Sequence, residues 1–278
     1  MDFISFCRAH GILIDYHPPI GVWARFPTED HPHKKNGAVK FLGDAGFAQN
    51  HATMQSPAAW FPESRDEIKV DLRKVRQAKE KANQQIDRQR QEAARKAAHI
   101  ISQSKVEQHA YLDSKGFPDA SILVYRPSED VNLCVIPMRV GKQVVGVQLI
   151  DRDGNKKFLF GQRCSGAEFV IGTTGINIWC EGFATALSIQ RCVKVQCKIH
   201  VCFSAHNLAS MATDGFVVGD NDASGTGESA AKKTGLPYFI PPQVGQDFND
   251  LMVSCGRFKA SQLLMDAMRN ISCKHETV

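Results

Sequence analysis

INIWCEGFATALSIQRCV (176–193), KIHVCFSAHNLASMA (198–212), GFVVGDNDASGTGESAAKKTG (215–235) and LPYFIPPQVGQDFNDL (236–251) follow one another in one stretch of the chain. Each begins with a short apolar run: INIWC, KIHVCFS, GFVVGD and LPYFIPP read as strands. FATALSIQRCV has helical period, a short helix is predicted near NLASMA, and ESAAKKTG reads as a helix closing on glycine. Such alternation predicts a mainly parallel, Rossmann-like α/β sheet with flanking helices. RFKASQLLMDAMRNI (257–271) reads as a terminal amphipathic helix.

In an open parallel sheet, ligands bind beyond the carboxyl ends of the strands. Acidic residues collect there. Glu181 follows INIWC, Asp220 and Asp222 follow GFVVG, and Asp247 and Asp250 follow LPYFIPP in GQDFNDL. Mg²⁺ or Mn²⁺ takes hard oxygen ligands and keeps several waters, so a few carboxylates suffice. Phosphoryl transfer needs charge neutralised on the attacking and leaving oxygens, which such a cluster can arrange. Gly219, Gly225 and Gly227 allow close backbone approach. A single aspartate after a strand is as well explained as a helix cap, and DASGTG is turn-rich in any case. Three acidic strand ends in order are harder to explain as caps. Within the set, Glu181 is the expected general acid/base or metal-linked carboxylate. Asp220 and Asp222 are the expected primary ligands, and Asp247 a third contributor. Asp250 either joins them or caps a helix beginning near Leu251.

Upstream, residues 105–172 read as a mixed subdomain. VEQHAYLDSKGF reads as a helix ending at Gly116, and ILVYRPS, LCVIPMRV, QVVGVQLI and KKFLFG as strands. Turns at Gly141-Lys142 and Asp153-Gly154 make this an antiparallel meander. Arg139, Lys142, Arg152, Lys156, Lys157 and Arg163 are its candidate phosphate-binding cations. A solvated hairpin face is the ordinary alternative. Residues 64–104 lack Gly and Pro and are dominated by Ala, Gln, Glu, Lys and Arg, which predicts one long, mostly solvated linking helix. Its apolar stripe is Ile68, Leu72, Val75, Ala78, Ala82 and Ile86. Residues 1–63 carry short apolar pieces between turn residues and read as a small β-rich module. The predicted catalytic segment then spans 173–278.

The 278 residues suffice for one large or two modest domains. A net charge of +5 is compatible with a nucleic-acid partner without requiring one. The nine cysteines include no CxxC pair. No leader is evident at MDFISFCRAHG, and no uncharged apolar stretch reaches about 18 residues. A reduced, cytoplasmic protein away from membranes is expected. Cys192, Cys197 and Cys202 lack zinc-knuckle spacing.

The acidic segments are also specific. WCEGFATALSI (179–189) resembles the Glu-Gly signature of Toprim domains, VVGDNDASGTGESAAKK (217–233) their Asp-x-Asp signature, and GQDFNDL (245–251) their third acidic segment. CVIPMRVGKQVVGVQLIDRDGNKKFLFG (134–161) is similar to the segment preceding Toprim in mobile-element primases, where it builds the basic wall of the groove. HAYLDSKGF (109–117) and WARFPTEDHPHKKNGAVKFLGDAGFAQN (23–50) resemble further parts of phage and plasmid primases, which are similar to the catalytic core of bacterial DnaG-type primases. The resemblance implies a primase making short RNA primers, with Mg²⁺ or Mn²⁺, single-stranded DNA and ribonucleoside triphosphates. It departs in the N-terminal module: Cys7 is the only cysteine beside His31, His33 and His51, so a zinc-free version is expected. No P-loop follows, so a helicase partner would be a separate protein. The same acidic cluster would also suit a Toprim nuclease. An accessory protein that binds single strands without catalysis is the non-enzymatic alternative. Trp23 and Phe26 could stack on bases, although core packing explains them as well. His206 lies on the same rim.

Overall fold

The computed structural model describes residues 1–62 and 72–272. The chain divides into two compact units, 1–88 and 89–278.

The first unit opens with α1 (Phe3–Ala9), capped where Asp2 Oδ1 accepts the Ser5 amide at 2.9 Å. The helix was not expected from sequence; seven residues carry too little periodicity to separate it from a loop. Strands β1 (Trp23–Phe26), β2 (Gly37–Phe41), β3 (Gly46–Asn50) and β4 (Ala58–Trp60) form one antiparallel sheet in that order. Phe3, Cys7, Ile12, Ile14, Phe26, Val39, Ala48 and Trp60 make its core. Phe26 is therefore a packing residue and unable to stack on a base, while Trp23 is exposed. Cys7 is fully buried and its thiol is pushed up to about 12 by that burial. His31, His33 and His51 are exposed.

The long helix α2 runs Leu72–Gln103. Residues 64–71 of the expected helix, including Ile68, lie outside the described residues. Most described positions of the helix are exposed, but its second half also packs. Ala97 and Ile100 are buried against Val135 and Val147, and Ala93 is buried too. Ile86, expected on the apolar stripe, is 41% exposed. Small alanines were read as helix formers, whereas their spacing of four lets a sheet approach closely. Ile100→Ala is expected to cost about 2–4 kcal/mol of stability in denaturant titration. Ile86→Ala should cost under about 0.5.

In the second unit, β5 (Lys105–Glu107), α3 (Ala110–Ser114), β6 (Ile122–Ser128), β7 (Val131–Val140), β8 (Gln143–Ile150) and β9 (Lys156–Phe158) follow. The five strands form an antiparallel meander in chain order, with β9 at one edge. After β10 (Phe169–Ile171) come β11 (Ile176–Cys180), α4 (Phe183–Cys192), β12 (Cys197–Val201), α5 (Ala205–Met211), β13 (Phe216–Val218), α6 (Thr226–Lys233), β14 (Tyr238–Phe239), α7 (Phe248–Cys255) and α8 (Arg257–Ser272). The sheet order is β10-β12-β11-β13-β14. All its pairs are parallel except β10 with β12, so the mainly parallel sheet expected from the alternating pattern is present. The antiparallel edge strand β10 was not foreseen.

The meander and this sheet share one core. Tyr111, Leu112, Phe117, Ile136 and Ile150 pack in the same cluster as Ile178, Phe183, Ile199, Phe248 and Leu264. One face of the meander thus shares its core with the parallel sheet, while the other packs on α2. Among the described residues, no helix is long and apolar enough to cross a membrane.

Candidate active site

Strand β11 pairs with β12 on one side and β13 on the other. The chain leaves β11, returns beside it as β12, then crosses to the far side as β13. The strand order reverses there, and the crevice beyond the carboxyl ends of β11 and β13 is where open α/β sheets bind ligands. Glu181 follows β11 and Asp220 lies just beyond β13.

Glu181 is half-buried. Burial raises its carboxyl above the usual range and Asp222 adds to this, while the Ala205 amide and Lys156 pull it back. Phe203, at the end of β12, donates its amide to the Glu181 carbonyl at 2.9 Å. Phe203 has φ of 65°, a left-handed conformation that costs a bulky L-residue about 1–2 kcal/mol. The strain sits where the loops of β11 and β12 meet.

Asp220 is pushed up to about 7, first by burial, then by Glu181 and Asp247, with Lys156 opposing. Its Oδ1 is buried and accepts no hydrogen bond. A buried carboxylate oxygen with no donor is costly unless a proton or a cation satisfies it.

Asp222 behaves differently. Its Oδ1 accepts from the Ser224 amide at 2.9 Å, the Thr226 amide at 3.1 Å and the Ser224 hydroxyl, and Oδ2 accepts from the Gly227 amide at 2.7 Å. These bonds pull it down to about 2. Asp222 thus caps the start of α6, the bland alternative weighed for an aspartate after a strand.

Asp247 is the N-cap of α7, and its Oδ1 accepts the Asp250 amide at 2.8 Å. Burial raises its carboxyl. Asp250 completes a capping box by accepting the Asp247 amide at 3.2 Å, and it lies 3.7 Å from Lys115. The helix begins at Phe248 rather than near Leu251, because the pair of aspartates caps it three residues earlier than the sequence pattern suggested. Glu181, Asp247 and Asp222 therefore all act on Asp220, Asp222 also acts on Glu181, and Asp250 is turned to the helix cap.

The expected cations are dispersed. Lys156 is the one among them that acts on Glu181 and Asp220. Its neighbour Lys157 points the other way along the strand and lines, with Arg152, Arg126, His109 and Asp130, a polar cavity of about 540 Å³. Arg152 lies 3.9 Å from Asp153. Arg139 donates to the Lys142 carbonyl at 3.3 Å, and its backbone bridges to Glu168. Arg163 donates to the Ser165 carbonyl at 3.0 Å.

Two features escaped the sequence reading. A second cavity of about 540 Å³ lies between α5 and α6, lined by His206, Ser210, Ser224, Thr226, Ser229 and Lys233 among others. Tyr111 is buried with its hydroxyl unpaired, and that burial raises it, with Cys134 and Asp247 adding to the effect. Tyr111 and His206 lie in segments the sequence reading named, but the cavity and the unpaired hydroxyl depend on elements distant in sequence. Cys192 and Cys202 are buried, and among the described residues no three His, Cys, Asp or Glu side chains converge on one metal position.

No family model matches the chain, and no curated protein matches it. Two solved structures are similar in part. One is a complex of bacteriophage T7 lagging-strand DNA polymerase interacting with primase domains of two gp4 subunits bound to an RNA/DNA hybrid and dTTP. It has a TM-score of 0.41 and 15% identity, over 59% of this chain and 91% of the matched chain. The other is the primase fragment of the bacteriophage T7 primase-helicase protein, with a TM-score of 0.41 and 16% identity over 60% of this chain and 77% of that one.

Proposed function

We propose that the second unit is the catalytic part of a Toprim-type DNA primase that makes short RNA primers on single-stranded DNA. The observation that carries this reading is Asp220 itself, just beyond the switch point, with its buried Oδ1 left without a donor and with Glu181 and Asp247 acting on its charge. The acidic segments of the sequence, which resemble Toprim signatures, point the same way.

The donor set fits a hard divalent cation. Mg²⁺ needs one or two carboxylates and completes its shell with water and substrate phosphates, so three converging protein ligands are not required. Asp220 would hold it, with Glu181 and Asp247 near enough to share its charge. When bound, Mg²⁺ or Mn²⁺ supplies charge neutralisation on the reacting oxygens. The chain's own residues do the rest. In the reaction, a primer 3′-hydroxyl attacks the α-phosphate of a ribonucleoside triphosphate, and pyrophosphate leaves. Glu181, whose carboxyl is raised by burial, is suited to take the hydroxyl proton. Lys156 holds phosphate beside it. Asp222 fixes the loop that presents Asp220. Arg139, Lys142, Arg152, Lys157 and Arg163 provide weaker phosphate tracking at a distance. A helicase would supply unwound template.

Incubation with mixed-sequence single-stranded DNA, labelled ribonucleotides and Mg²⁺ or Mn²⁺ tests this. Short labelled products are expected from the wild type, and Glu181→Gln should lower their yield by on the order of 10²-fold or more. Shortened DNA without labelled product would make the chain a nuclease. Binding alone would make it an accessory protein.

A further inference from the structure

We infer that Phe158 and Phe160, on the edge strand β9 and the turn after it, form a base-stacking platform for single-stranded nucleic acid. This rests on the nucleic-acid reading of the adjoining site, and it assigns a surface that reading does not. Phe160 is 88% exposed and Phe158 is 44% exposed. Single exposed apolar residues are ordinary on protein surfaces, so exposure alone means little. Three further observations set this pair apart.

The first is rigidity. Gln162 pins the turn from both ends. Its Oε1 accepts the Val147 amide at 3.0 Å and the Leu159 amide at 3.2 Å, and its Nε2 lies 3.0 Å from Met138 Sδ. Gly161, with φ of 76°, lies so close to Gln89 that an added Cβ would stand 2.9 Å from that side chain. Phe160 is displayed from a fixed turn, which lowers the ordering cost of binding.

The second is position. Lys156 and Phe158 share one face of β9, since strand side chains alternate. Lys156 acts on Glu181 and Asp220. Phe158 meets Phe203 edge-on, with ring centroids 6.4 Å apart, and Phe203 is bonded to the Glu181 carbonyl. Phe158 thus stands on the rim of the acidic crevice, and Phe160 follows it on the adjoining turn.

The third is charge. Lys156 shares a face of β9 with Phe158, Arg163 follows Phe160 by three residues, and both cations are exposed. Aromatic faces interleaved with cations, on the edge strand of the described sheet, match the way sequence-tolerant proteins hold single strands. A protein partner explains the apolar surface but not the interleaved cations.

The test is fluorescence anisotropy of a labelled single-stranded homopolymer of about 12 nucleotides, with a duplex of equal length as control, over a range of salt. Phe160→Ala should raise the Kd for the single strand about tenfold, leave duplex binding within about twofold, and leave the salt slope unchanged. Phe160→Trp should restore affinity, with indole fluorescence quenched on binding. These results uphold the platform even if the wild type synthesises nothing, so the two readings can fail separately. Wild-type affinity in Phe160→Ala, equal loss for single strand and duplex, or no rescue by tryptophan would overturn it. So would a wild-type dimer that Phe160→Ala dissociates without change in DNA binding.

Discussion

Asp220→Asn should abolish primer synthesis, by on the order of 10³-fold, while making the cation-free protein more stable at neutral pH. The two effects have one cause. Folded Asp220 holds its proton up to about 7, against 3.8 for an unperturbed aspartate. Between those values the folded chain carries the extra proton, so unfolding becomes easier as pH rises from about 4 to about 7. Glu181 and Asp247 shift in the same direction and add to the slope. Asp222 acts oppositely: its contribution is present above about 4 and is lost as pH falls towards about 2. Asparagine keeps the shape of Asp220 without the buried charge. Thermal unfolding across pH 4–8 should therefore be flatter in Asp220→Asn. Addition of Mg²⁺ or Mn²⁺ at pH 8 should raise Tm in the wild type and leave the variant unmoved. A wild type that ignores both cations would remove Asp220 as their ligand.

Gly227→Ala should damage the site from a position that no substrate need touch. Gly227 is buried in the first turn of α6, and its amide bonds Asp222. A Cβ there would stand 2.3 Å from the Asp220 carbonyl oxygen and 3.1 Å from its carbonyl carbon and amide nitrogen. All three neighbours are backbone, so the segment carrying Asp220 must move. Helix propensity favours alanine over glycine by about 1 kcal/mol. Overpacking costs about 1–3 kcal/mol. The clash should prevail, with a net loss of stability in denaturant titration. Displacement of Asp220 by about 1 Å should lower synthesis on the order of 10²-fold. A variant more stable than wild type and fully active would show that this loop adapts, and that Asp220 is not held by close backbone contact.

The alternating apolar runs from Ile176 onward determined the parallel sheet. The runs of β11, β12 and β13 each hold three consecutive buried residues, and strands of that kind need only be short and apolar to be recognised. The turn chemistry at Gly141 and Gly154 determined the meander in the same local way. Tertiary packing decided what the pattern left open. Ala93 and Ala97 look like surface helix formers until a sheet is placed against them. Phe169–Ile171 is too short to separate from a loop without the neighbouring strand that pairs with it.

The five acidic residues were all visible as strand-end carboxylates, but their roles were not. Asp220 and Asp222 are two residues apart, yet one is pushed up to about 7 and the other down to about 2. The same holds for the cations, where adjacent Lys156 and Lys157 serve opposite faces of one strand. Sequence determined which charged groups the chain offers and the strand ends on which they lie. Only the folded backbone decided which of them are desolvated and which are met by amides, because burial and hydrogen bonding depend on neighbours that sequence distance does not record.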